Sequence, residues 1–573
     1  MLKTYALRNI GTFLFLFSTL NTFSQEILKE NLTKKKSFFW DYNKIKLQSI
    51  GSYYKDPLGE TTLKHGKWEY FDEKGNSLEI RTYYKDKLNG KLTMLYPNGK
   101  PRYVGFFKND LQDSSYQEWF ENGNLAIEAF YKKNELFGFK KTYYLDGRQQ
   151  ALEEHIDSVK YLQEFWLPDS LHTQTVKKGN GVATYFHTTS GIKEWYTYKN
   201  GLPDGEFVER SIYGYDLLTG FYNEGKKTGE WRTYYFSGDL EKINNYENDK
   251  LTGKYQYFYD KNRLNVEGFY KNGEKYGVWT WYTNEGNRDM SGTFKDDKQD
   301  GNWTFWFPTG EISYTAQFKD DKKHGVWDYF YKNGAKFKKG AFSENEKNGK
   351  WETWYENGTL LMSGDYVNGK EEGEWLNYWD NGKLKNKSTF KKGQLNGEWY
   401  SYYPNGKIKL VGYYKNGLKT KSWVDFYDNG SPQTATTYKI IKKKSKIKYG
   451  PMKGHFVYES VKEGAYVAFS DKDFKKTEEG SYKVGEKNGT WTAYYPGGKM
   501  PYSIQNYKLG KLDGKMKEYD RKGIIISEIE YKDGLKHGKM KLFDKKGKVI
   551  SEKKFEFGLQ VDEGKNGGFS PGK

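Results

Sequence analysis

Ten glycines, Gly181, Gly205, Gly229, Gly253, Gly277, Gly301, Gly325, Gly349, Gly373 and Gly397, follow one another at intervals of 24 residues. Gly66, Gly90 and Gly138 keep the same period, with Ser114 in the missing place. Gly489, Gly514 and Gly538 continue it at 25 and then 24. A fixed period of roughly 20 to 50 residues marks stacked supersecondary units, each of which buries its apolar surface against its neighbours. No other property of the chain restricts its fold as much.

Each unit has the same internal plan when its leading Gly is counted as zero. In "GVWDYFYKNG" (325–334), Trp327 stands at +2, Phe330 at +5, Tyr331 at +6 and the turn residue Gly334 at +9. The Trp recurs as Trp279, Trp303, Trp351, Trp375 and Trp399. A second apolar run follows, with a small residue at +15 (Gly340, Gly364) and a ring at +17 (Phe342, Tyr366). Two short ring-rich runs around an Asn-Gly or Pro-Asn-Gly turn predict a β-hairpin, and their alternation suits strands better than a helical period.

A turn over +7 to +10 pairs +6 with +11 and so fixes the whole register. Trp327 then faces Gly340 and Gly325 faces Phe342; in the next unit Trp351 faces Gly364 and Gly349 faces Tyr366. A ring laid over a cross-strand Gly shields the backbone that Gly leaves open. On this reading Trp327 covers Gly340. The same register places +2, +6, +11, +13, +15 and +17 on one apolar face. The other face carries Lys, Glu, Thr and Asn together with the ring at +5. The expected fold is all-β: an elongated repeat array of antiparallel hairpins forming a long twisted meander sheet. Its apolar face would be hidden by curling or by a second copy.

Composition agrees. Aromatic residues make up 18% of the chain, with 52 Tyr, and 63 Gly stand against 12 Pro, so rings rather than aliphatic side chains carry the apolar mass. A formal charge of +19 favours anionic partners. The absence of Cys excludes a disulfide framework and a thiolate zinc site.

Residues 1–24 read as a signal peptide: Lys3 and Arg8, then an apolar stretch over 10–20, then Thr22-Phe23-Ser24 with cleavage after Ser24. No later segment is apolar enough to span a bilayer, so the expected location is exported: periplasmic, outer-membrane-associated or extracellular. Residues 25–65 form an N-terminal segment with a partial repeat, 66–149 a first repeat block, 150–180 an irregular connector and 181–432 the main array. A basic connector (433–463), C-terminal repeats (464–560) and a disordered tail (561–573) complete the plan.

The unit G-x-W-x-x-Y-Y-x-x-G-x-L-x-x-x-G-x-Y-K-x-G, with hinge runs such as "YYKNGLK" (413–419) and "FYKNGEK" (269–275), resembles the bacterial MORN-repeat variant. Proteins of that kind are often labelled YwqK-type antitoxins of toxin–antitoxin systems. The resemblance implies an antiparallel β-meander used for protein–protein or membrane-lipid contact, without catalysis. An antitoxin or immunity role follows from the label alone, and an export signal is foreign to a cytosolic antitoxin.

The residues offer little for chemistry. His65, His324 and His537 each precede a lattice Gly and read as turn residues. His155, His172, His187 and His455 are scattered without metal-ligand spacing. No catalytic, metal or cofactor-binding residue is assigned. The basic run "KIIKKKSKIK" (439–448) reads as a lysine-edged strand or solvated connector, or else as a dock for lipid phosphate, lipopolysaccharide or nucleic acid. Export argues against nucleic acid. The ring at +5, as Tyr282, Trp306, Phe330, Trp354, Tyr378 and Tyr402, forms a candidate binding stripe. The reading is a non-enzymatic exported scaffold for an unknown protein partner in the bacterial envelope. An anionic glycan- or lipid-binding surface is the alternative.

Overall fold

A computed structural model describes residues 31–444 and 455–561. The expected signal peptide, positions 445–448 of the basic run and the tail from 562 lie outside the described residues. The protein is all-β: among the described residues, apart from a single 3₁₀ turn, Asp260–Asn262, the regular structure is strand. The chain divides into two compact units, Met1–Glu274 and Lys275–Lys573. Each is an antiparallel meander in which a strand pairs with the next along the chain, and neither closes into a barrel.

The hairpin register of the unit at Gly325 is the expected one. Gly325 faces Phe342 and Trp327 faces Gly340, and in the next unit Gly349 faces Tyr366 and Trp351 faces Gly364. The turn differs. Phe330 at +5, not Tyr331 at +6, pairs with Lys336 at +11 across a bulge. Tyr331 closes a tighter loop, donating its N–H to Ala335 O at 2.8 Å and accepting from Gly334 N at 2.9 Å. Gly334, at φ +82°, supplies the left-handed residue of this turn. The extra residue is Phe337 at +12, and Tyr331 packs against it (ring centroids 5.0 Å apart). The residue that joins the Trp face is the one at +4, as Tyr329 does.

Between units the two strands do not match one to one. Lys339 pairs with Glu352 and Ala341 with Asn348, so three residues, Gly349 to Trp351, stand opposite the single Gly340. Gly349 absorbs the excess at φ +74°, a conformation that L side chains rarely adopt. This bulge is why the lattice position is Gly: Gly277, Gly301, Gly325, Gly373 and Gly397 all have positive φ there, as does the substitute Ser114.

The bulge also decides which indole covers which glycine. The ring over Gly340 is Trp351 of the following unit, not Trp327: a Cβ on Gly340 would lie 2.1 Å from it. Gly364 is likewise covered by Trp375, and Gly292 by Trp303. Hairpin partners share a register, but the indole leans across the inter-unit bulge, where an uneven pairing leaves backbone exposed. Its Nε1 donates to a carbonyl there, from Trp351 to Ala341 O at 3.1 Å and from Trp327 to Gln317 O at 3.2 Å.

Lying flat over small residues, the indoles bury themselves without a second layer. Trp303 over Gly292, Trp327 over Ala316 and Trp351 over Gly340 are 2%, 5% and 3% exposed. Trp399 faces Ser388 across the inter-unit pair and is only half-buried. The Trp face therefore needs neither curling nor a second copy to hide its indoles.

The two expected connectors are sheet. Strands Gln149–Ile156, Val159–Trp166 and Gln174–Lys177 continue the meander through 150–180. There Phe165, Val176, Leu162 and Ala183 form an aliphatic-rich core in place of the indole row. Within 433–463, strands Pro432–Lys444 and Phe456–Phe469 pair antiparallel, with Lys439–Lys444 opposite Val461–Phe456. Tyr427 spans this pair, donating to Phe469 O at 3.0 Å. The repeat rule resumes beyond this insertion.

Candidate interaction surface

Three rows of side chains recur at the 24-residue step, and the two along the edges tie one strand pair to another. On the Trp face, a Lys at −2 lies over the indole: Lys323 over Trp327 at 4.9 Å, Lys347 over Trp351 at 4.7 Å and Lys419 over Trp423 at 4.1 Å. An ammonium over a desolvated ring is favourable, and its stem covers the ring edge. Lys338 reaches the same face between Tyr329 and Trp351, where burial and the nearby Lys347 and Lys323 pull its pKa below the usual lysine range.

On the hairpin-turn edge, the residue at +6 donates to the +5 carbonyl of the next unit. Tyr331 Oη reaches Trp354 O at 2.9 Å, Tyr355 Oη reaches Tyr378 O at 3.0 Å, and Trp379 Nε1 takes the part at Tyr402 O, 3.3 Å away. Asn at +8 adds a rung through its amide, from Asn381 to Pro404 O at 3.0 Å and from Asn405 to Asp428 O at 2.8 Å. We predict that Tyr355→Phe lowers stability by about 0.5–1.5 kcal/mol, the net worth of one hydrogen bond. Faster hydrogen exchange confined to residues 349–382 will report it.

On the opposite edge, an acceptor at −1 caps the N–H at +19. Glu372 takes the N–H of Lys392 at 2.8 Å and Asp204 that of Glu224 at 3.2 Å. Two histidines fill this place: His65 Nδ1 accepts from Lys85 N at 3.2 Å and His537 Nδ1 from Phe557 N at 3.4 Å. They lie within strands beside the bulge, not in turns themselves, and His324 at the equivalent position is exposed. These capping roles carry no sequence signal beyond the shared offset.

One charge cluster stands out in the first unit. Glu153 is buried between Lys140 at 3.2 Å, His155 at 3.3 Å and Lys160 at 3.5 Å. Burial alone would raise its pKa, but the charges of Lys160 and Lys140 outweigh it and hold the carboxylate below its ordinary value. A carboxylate kept ionised in this way is a structural ion, not a proton donor near neutrality. Among the described residues no group of His, Cys, Asp and Glu is arranged to hold a metal ion.

The six candidate rings occupy one position in six successive hairpins of the second unit. Tyr282, Trp306, Phe330, Trp354, Tyr378 and Tyr402 are all half-buried. Repeated every second strand, they recur at about 10 Å. Trp306, Phe330, Trp354 and Tyr378 make no ring contact with one another, so they form a row of separate platforms rather than a stack. Cations attend two of them: Arg288 lies 5.8 Å from the Trp306 ring and Lys336 5.9 Å from that of Trp354.

The profile of the family described as MORN repeat variant matches residues 88–109, 112–133, 227–248, 299–320, 347–368, 371–392, 395–416 and 512–533. Where the lattice Gly is present, each match runs from the −2 position to +19, the span of one hairpin with its bulge and its capped hinge. The chain carries MORN-variant repeats. A comparison with curated proteins gives no match. Among solved structures, the crystal structure of TcdB2-TccC3 is 10% identical at a TM-score of 0.13, with 94% of this chain and 29% of that one covered. That of TcdB2-TccC3-Cdc42 is 11% identical at 0.13, with 87% and 30% covered. The Photorhabdus luminescens Tc holotoxin pore is 9% identical at 0.13, with 91% and 30% covered. The chain spans about three tenths of the length of these structures, and scores that low do not establish a common fold. Among the described residues no helix is long and apolar enough to cross a membrane, which bears on helices alone.

Proposed function

We propose that this MORN-variant repeat protein is a non-enzymatic, exported scaffold of the bacterial envelope that holds a protein partner along the +5 row. The observation that carries the reading is a division of labour among rings. The indoles at +2 pack on backbone and the hydroxyls at +6 tie turns together, whereas the +5 side chains keep part of their surface open at a constant spacing. Half-open aromatic platforms beside cationic side chains suit a protein surface with apolar and acidic groups. The pattern of residues 1–24, basic then apolar then small, supports export.

The test is a pull-down from envelope fractions with the full chain and with Trp306→Ala/Trp354→Ala/Tyr378→Ala. The full chain should recover a stoichiometric protein, and the triple variant should lose it by about tenfold or more while keeping its circular dichroism spectrum. Unchanged recovery with the variant would remove the row from consideration. Recovery of polysaccharide with no stoichiometric protein would replace the partner by an anionic glycan, the class that Arg288 and Lys336 beside Trp306 and Trp354 also suit.

A further inference from the structure

The first hairpins of the Met1–Glu274 unit depart from the repeat rule, and the departure opens a cavity. At +15 of the unit at Gly66 stands Arg81, paired with Trp68 on one side and with Leu92 on the other. Both the small residue and the indole that should cover it are therefore replaced. The guanidinium lies over the Tyr70 ring at 5.1 Å, held by Glu79 at 2.6 Å and donating to Tyr83 Oη at 3.2 Å. Ser49, paired with Phe38 and with Tyr70, is too short to fill the space between them. What remains is a cavity of about 470 Å³, open to solvent. Its rim holds two exposed rings, Phe38 at 39% and Trp40 at 47%. Phe38 stacks on Trp68 at 5.9 Å, and Trp40 is fixed through its indole N–H to Phe71 O at 3.1 Å.

We propose that this cavity binds an acidic oligosaccharide, one built of hexuronate residues. Flat aromatic faces at the rim take the C–H face of a pyranose ring. Arg81 and Glu79 set a planar donor beside a planar acceptor, the pairing that vicinal hydroxyls require. Lys64 lies over Trp68 at 4.8 Å and donates to Tyr70 Oη at 3.0 Å, and no carboxylate pairs with it among the described residues. It is the free charge of the cavity, and a sugar carboxylate would neutralise it. Burial raises the pKa of Tyr70 and Tyr83, so both phenols remain protonated and able to donate. The cavity volume suits one or two sugar rings.

Calorimetry with the full chain tests this with tetramers of galacturonate, glucuronate and mannuronate, and with maltotetraose as the neutral control. At least one hexuronate should bind about tenfold or more tightly than maltotetraose, with an affinity that falls as salt rises. Trp40→Ala and Lys64→Gln should each weaken it by about tenfold, while Val367→Ala, exposed, outside the +5 row and in the other unit, leaves it unchanged. No heat from any hexuronate, equal binding of maltotetraose, or wild-type affinity in both variants overturns the proposal. Tighter binding of tetraglutamate that both variants abolish would give the cavity to an acidic peptide instead. Because the probes are free sugars and the variants lie outside the +5 row, failure here leaves the scaffold reading untouched.

Discussion

Gly340→Val will unseat Trp351 and cost about 3–5 kcal/mol, the scale of losing a large buried aromatic side chain. The position tolerates no Cβ, since the first added atom would stand 2.1 Å from the ring. Once displaced, the indole loses its burial, its bond to Ala341 O and its contact with Lys347. Two double variants identify the indole concerned. Gly340→Val with Trp351→Ala should be far less destabilising than the sum of the single changes, because the second removes the atoms that the first expels. Gly340→Val with Trp327→Ala should be close to additive, because Trp327 lies over Ala316. Coupling to Trp327 instead would restore the cover expected from the hairpin register. In a repeat array the loss is local, so native-state hydrogen exchange over 325–366 is the measurement to make.

Gly349→Val will destabilise through the backbone alone. No atom lies within 4 Å of a Cβ built there, yet φ is +74°. An ordinary L residue pays about 1–2 kcal/mol in that conformation, and a β-branched one pays more. Gly349→Asn should recover most of the loss, since a short polar side chain visits that region readily. The array already contains this comparison: Ser114 and Lys421 occupy equivalent positions at φ 79° and 59°. Equal melting shifts for the Val and Asn variants would show that space, not φ, fixes this glycine. The two glycines, on either side of one inter-unit bulge, thus fail for opposite reasons, one for want of room and the other for want of a permitted dihedral.

Much of this fold was legible in the chain. The 24-residue register, the Asn-Gly turns and the alternation of rings gave the hairpin and its pairing, Trp327 to Gly340 and Trp351 to Gly364, because these are local facts of spacing and pleat. The turn bulge was not legible. The expected partner of Lys336 was Tyr331, and the extra residue Phe337 gives that place to Phe330 instead. Residues 150–180 pair as strands although they lack the lattice Gly and Trp, and Lys439–Lys444 of the basic run lie in a strand, one of the two structural readings its lysines allow. Of the candidate stripe, the spacing was visible in sequence; the half-burial of each ring depends on neighbours one unit away.

The pattern of each unit, as in "GVWDYFYKNG", determines by itself that this chain makes hairpins and which residues face one another away from the turn. Those choices rest on contacts fewer than about twenty residues apart. Only the tertiary structure decided what joins one hairpin to the next: the three-to-one bulge at Gly349 and Gly340, the indole of Trp351 leaning back over its predecessor, and the Tyr355 hydroxyl reaching forward to Tyr378. The same is true of the cavity at Arg81, where residues from Phe38 to Arg81 meet. An inter-unit pairing is set by how two twisted strands with unequal residue counts fit side by side, and no periodicity within a single unit encodes that fit.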